Sequence, residues 1–93
     1  MLRFFSDPGH GWLEVSKRAV DAVDYHPSPY SYYNPKTNMY YLEEDLDASG
    51  WLKLTRHQGE FRDIYEPYPS FVRSLPPVND PKYVAPAQKE SWA

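Results

Sequence analysis

Short apolar runs broken by turn formers mark out the first half of the chain. Leu2–Phe5 and Trp12–Val15 read as two strands. Between them lies Ser6-Asp7-Pro8-Gly9-His10-Gly11, a loop rich in residues that favour tight turns. Ser16 then has the side chain to cap a short helix. Val15 before that cap and Val20 after it occupy the two positions of a hydrophobic staple. Ala19, Val20 and Val23 give the helix one apolar face, and it must end before Pro27. Tyr30–Tyr33 and Met39–Glu44 read as a hairpin joined by Asn34-Pro35-Lys36-Thr37-Asn38. A second helix is expected from Asp47 or Ser49 to about Gln58, with Ala48, Trp51, Leu52 and Thr55 on one face. Gly59 suits a left-handed residue just past its end. A last strand covers Phe61–Tyr65. The order ββαββαβ defines a small α+β domain with a mostly antiparallel sheet.

Proline changes the picture beyond that point. Residues 67–93 hold six of the ten prolines, which excludes a long helix or an inner strand there. The expected organisation is therefore a body at 1–66 and an extended arm at 67–93, with one helical turn around Ser70–Leu75. A body of this size buries only ~60% of its unfolded surface. Phe71, Val72, Tyr83 and Trp92 equip the arm to pack on the body or on a second copy, as in a homodimer.

Composition narrows the functional classes. With 93 residues, 41% hydrophobic and 17% aromatic, the chain can build a core but not two domains. It has no cysteine, so disulfides, thiol catalysis and Cys-ligated zinc are excluded. A net charge of −3 argues against a general nucleic-acid binder. No apolar run is long enough to span a bilayer, and no secretory signal is visible.

Three strings are candidates for chemistry. Asp7-Pro8-Gly9-His10-Gly11 resembles the zinc-ligand turn of the N-acetylmuramoyl-L-alanine amidases, which implies His10 as a metal ligand and a zinc-dependent hydrolase. The family's second glycine is Trp12 here, and His26 and His57 do not follow its spacing. The plainer reading is a β-turn that contains a histidine. Asp45-Leu46-Asp47-Ala48-Ser49-Gly50 matches the first half of a calcium-loop template, but Arg56 stands where a bidentate acid should close the cage. Asp47 and Ser49 serve as well as helix caps. Finally, Tyr25, Tyr30, Tyr32, Tyr33, Tyr40 and Tyr41 crowd into 17 residues. A core this small cannot hide all six, and displayed tyrosine favours recognition. The same rings could stack on single-stranded nucleic acid, although Lys36 is the only nearby base.

The strings from Ser6 to Ser16 and from Tyr41 to Ala48 also resemble small uncharacterised proteins encoded by tailed bacteriophages, over about residues 4–60. The resemblance implies an accessory protein made in the cytoplasm of a bacterial host. It implies no enzymatic activity and no cofactor, but stoichiometric binding to a host protein that inhibits it or blunts a defence. The expected contact surface combines Tyr30, Tyr32, Tyr33 and Tyr40 with Glu43, Glu44 and Asp45. Tyrosine would supply desolvated area and the acids would steer a basic partner.

Overall fold

The computed structural model describes residues 1–78. Strands β1 (Leu2–Asp7), β2 (His10–Ser16), β3 (Tyr32–Asn34), β4 (Met39–Glu43) and β5 (Phe61–Tyr65) form one sheet in the order β3-β4-β2-β1-β5. Three of the neighbouring pairs are antiparallel and β1–β5 is parallel. Helix α1 (Lys17–Ala22) follows β2, and α2 (Ser49–Thr55) follows a single wide π-type turn at Glu44–Ala48. The fold is the small α+β architecture with a mostly antiparallel sheet. No helix among the described residues is long and apolar enough to cross a membrane.

Alternation along the strands sorts side chains onto two buried faces. On one face Leu13, Val15, Tyr33, Tyr40 and Leu42 pack with Val20 of α1 and Trp51 of α2. On the other, Phe5, Trp12 and Tyr41 pack with Val72, part of a 3-10 turn at Phe71–Ser74. Both faces are covered, which is why β2 and β4 are buried nearly throughout rather than at every second residue.

Residues 70–78, within the described part of the expected arm, pack on the body. Ser70 caps the 3-10 turn, Val72 is fully buried, and Val78 joins the helix-side core. The segment also seals one edge of the sheet. Tyr33 N donates to Pro76 O and Val78 N to Ser31 O, with an isolated bridge between Tyr32 and Pro77. Pro81, Tyr83, Pro86 and Trp92 of the expected arm, and with them any exchange of that arm between copies, lie outside the described residues.

Two local expectations are corrected. The first two strands run right up to a two-residue turn, because Asp7 pairs with His10 and leaves only Pro8-Gly9 between them. Most of the expected six-residue loop is therefore strand. Helix α2 stops at Thr55, and Arg56, not Gly59, takes the left-handed conformation (φ 53°). The early stop lets His57 stack between Trp51 and Phe61, at ring separations of 6.0 and 5.8 Å, and so leads the chain into β5.

Helix α1 begins where the sequence indicates: Ser16 Oγ accepts from Ala19 N at 3.1 Å, and both staple residues, Val15 and Val20, are fully buried. Ser16→Ala leaves that amide without its acceptor and is expected to lower the unfolding free energy by about 1 kcal/mol. Urea denaturation at constant m-value measures the change.

Candidate functional site

Four carboxylates are buried: Asp7, Glu14, Glu43 and Asp47. Each needs compensation, since an isolated charge inside a protein is strongly disfavoured. Asp7, Glu14 and Glu43 share the face that the C-terminal segment covers, and each meets a base there. Arg3 clasps Glu14 through two bonds of 2.7 and 2.8 Å, and the Tyr41 hydroxyl donates to the same carboxylate at 2.7 Å. Burial first, then this hydrogen bond, pushes the Tyr41 phenol above its ordinary range. His10 Nε2 stands 2.8 Å from Glu43 Oε1. Glu43 also accepts from Asp45 N and Leu46 N, so it caps the π-type turn.

Asp7 is the most connected of the three. Arg73 donates to it from Nε (2.7 Å) and Nη2 (2.9 Å), and backbone N–H groups of Gly9, His10 and Ser70 complete its shell. The Arg73 guanidinium, followed by those amides, holds the Asp7 carboxyl far below the usual range. Arg73 is itself sandwiched, its guanidinium carbon lying 5.1 Å from the Trp12 ring and 4.7 Å from the Tyr68 ring. Gly9 leaves room for this: a Cβ there would come within 2.7 Å of Arg73 Nη2.

Among the described residues no cation pairs with Asp47. It accepts from the Tyr25 hydroxyl (2.8 Å), Ser28 N (2.9 Å), Ser28 Oγ (2.6 Å) and Ser31 Oγ. Ser31 Oγ in turn accepts from Glu43 N at 2.9 Å. Burial, then the bond to Asp47, pushes the Tyr25 phenol up to about 12.

These networks frame a cleft of about 450 Å³ lined by Gly9, His10, Trp12, Pro29, Tyr30, Tyr32, Arg73 and Pro77. Trp12 is almost wholly buried beneath it, at 5.6 Å from His10 and 6.1 Å from Tyr32 by ring centroids. Its indole Nε1–H has no acceptor among the described residues. Tyr30, by contrast, is 71% exposed at the rim, and Tyr68, beyond Arg73, is 65% exposed.

The structure divides the expected contact surface. Tyr30 and Tyr32 meet in the cleft. Tyr33 and Tyr40 are core residues on the opposite face, their rings 4.8 Å apart, because alternation sends them inward beneath the helices. Glu43 is buried by its capping role. Glu44 is exposed, but it borders a separate, largely apolar groove with Phe4, Leu13, Leu52 and Phe61. Asp45 is exposed on the π-type turn. Sequence reasoning missed Trp12 and Arg73; the turn chemistry of Asp7 was visible, but its partner 66 residues away was not.

Neither metal-like string gathers ligands. Among the described residues no group of three or more His, Asp or Glu side chains could hold a metal ion. His10 faces Glu43, His26 lies beside Asp24, and His57 is stacked between rings. Helical winding over Glu44–Thr55 turns the exposed Asp45 away from the buried Asp47, so the calcium-like string is not a loop. Neither the protein-family models, the curated proteins nor the solved structures contain a match to this chain.

Asp7 keeps its charge in the fold at pH values where the unfolded chain's carboxyl, near 3.8, takes up a proton. Its folded pKa is depressed, so its stabilisation is complete above about pH 5 and declines as pH falls. Asp7→Asn is expected to melt lower than the parent at neutral pH, with the gap narrowing below about pH 4. Melting temperature as a function of pH for both chains checks this; a gap independent of pH contradicts it.

Proposed function

We propose that this chain is a non-enzymatic accessory protein that acts by stoichiometric contact with another protein, through the cleft bordered by Tyr30 and Tyr32. The observation that carries the reading is the exposure of Tyr30 at the rim of a cleft whose other walls are fixed. Tyr32 and Trp12 are packed together, Arg73 is held by Asp7, and Pro29 and Pro77 stiffen the backbone. A rigid aromatic wall of this kind offers contact area at low entropic cost. The likeness of the Ser6–Ser16 and Tyr41–Ala48 strings to small phage-encoded proteins supports a bacterial host protein as the partner. Base stacking on the same tyrosines is less well supported, because it calls for a basic groove. Here His10 and Arg73 are each matched by a buried carboxylate.

The test is capture from a bacterial lysate on the immobilised full chain, with Tyr30→Ala alongside. Tyr30 is largely exposed and makes no ring contact with the core among the described residues, so the variant is expected to keep the parent's thermal transition. It should lose a saturably bound protein, with affinity reduced about tenfold or more. No saturable capture, or equal capture by both chains, refutes the reading.

A further inference from the structure

A second surface lies at the opposite edge of the sheet from the Tyr30 cleft and does not rest on it. The edge at β3 is sealed by Pro76 and Val78, whereas among the described residues nothing pairs with the outer side of β5. The direction of its backbone groups follows from one bond: Glu66 N donates to Ser6 O at 2.8 Å, towards β1. Bonding direction alternates along a strand, so Arg62 and Ile64 also turn theirs towards β1. Phe61, Asp63 and Tyr65 then direct their N–H and C=O groups outward, and all three residues are exposed. An open edge of this kind is a template for a further strand.

The side chains beside that edge limit what can add to it. By their register with Leu2, Phe4 and Ser6, the side chains of Phe61, Asp63 and Tyr65 share the helix-covered face. Phe61 and Asp63 line the largely apolar groove there, with Phe4 and Leu52. Phe61 and Tyr65, 40% and 69% exposed, offer aromatic surface on either side of Asp63. Asp63 has no ion pair among the described residues, and Lys53, which lines the groove from α2, does not reach it. An antiparallel strand that uses all three outward residues sets one side chain directly opposite Asp63, on the same face. A second copy of β5 would put Asp63 against Asp63 there, and like charges directly opposite are destabilising. Registers shifted by two residues avoid this clash but leave one of the three outward residues without a partner. A basic residue at that point, between two apolar ones, meets the carboxylate and both rings at once.

We propose that β5 is a docking edge for an extended segment of a partner protein, added as an antiparallel sixth strand with a lysine or arginine opposite Asp63 and apolar residues two positions to either side. Backbone bonds to Phe61, Asp63 and Tyr65 hold the segment, and its alternate side chains select it.

The experiment titrates the full chain with three synthetic peptides: one containing Val-Thr-Lys-Thr-Val, the same peptide with glutamate for lysine, and a version N-methylated at the lysine, whose N–H would face β5. Proton–nitrogen spectra and hydrogen exchange at the amides of Phe61, Asp63 and Tyr65 are the readout. The proposal expects saturable binding of the lysine peptide, with downfield shifts and slowed exchange at those three amides and unchanged protection at Arg62 and Ile64. Glutamate or N-methylation should weaken binding about tenfold or more. Asp63→Lys should invert the preference between the lysine and glutamate peptides, and Tyr30→Ala should change nothing. No saturable binding, equal binding of all three peptides, or loss of binding in Tyr30→Ala overturns the proposal. So does slow exchange of the three amides in the free monomer, which means that the chain covers its own edge. A concentration-dependent dimer that protects them also overturns it, by making a second copy the occupant.

Discussion

The ion pair between Asp7 and Arg73 is the constraint on which the rest of the structure depends. It joins the first hairpin to a segment near the end of the described chain, and it does so in the interior, where the Asp7 side chain has no contact with solvent. One carboxylate orders two things at once. Its bonds to Gly9 N and His10 N shape the turn between β1 and β2, and its bonds to Ser70 N and Arg73 dock the 3-10 turn. Docking places Val72 on Phe5, Trp12 and Tyr41, and so completes the second core. Removing one partner of such a pair is costly mainly because the other is left buried and uncompensated.

The same face shows how a small chain with limited apolar volume can close its interior. Three acids stand on adjacent strands, and each is balanced by a base from elsewhere: Arg3, His10 and Arg73. Their geometry is directional where packing alone is not, and a fully satisfied polar network specifies one arrangement. The helix-covered face relies instead on side-chain volume, with Val15, Val20 and Leu42 fully buried and each worth roughly 1.5–3 kcal/mol of transfer free energy. Register follows from this division, since a one-residue slip would carry the acids into the helix-side core.

Local signals in the sequence were sufficient for the element order. The staple of Val15 and Val20 around Ser16, the tyrosine hairpin and the helical spacing of Ala48, Trp51 and Leu52 all depend on neighbours a few residues apart. What was not legible depends on distant partners. The fate of Tyr33 and Tyr40 was decided by which face the helices cover, and periodicity alone does not reveal that when both faces are buried. Asp47 has the residue type of a cap, yet it faces inward because Tyr25, Ser28 and Ser31 bring hydroxyls to it. Of the candidate site, the exposed tyrosine Tyr30 could be suspected from crowding. Arg73 and Trp12 could not, because their roles arise only after residues 67–78 fold back over the sheet.

The hydroxyl knot around Asp47 has a consequence at some distance from itself. Residues 25–31 contain two prolines and no regular helix or strand, so little repetitive hydrogen bonding holds them. Asp47 and Glu43 N supply that hold through Ser28 and Ser31, on either side of Pro29 and next to Tyr30. The stretch that carries the rim aromatic is thus stiffened from below by a single acid that never reaches the surface. An approaching molecule meets a stretch whose backbone is already set, and little freedom remains to be surrendered on contact.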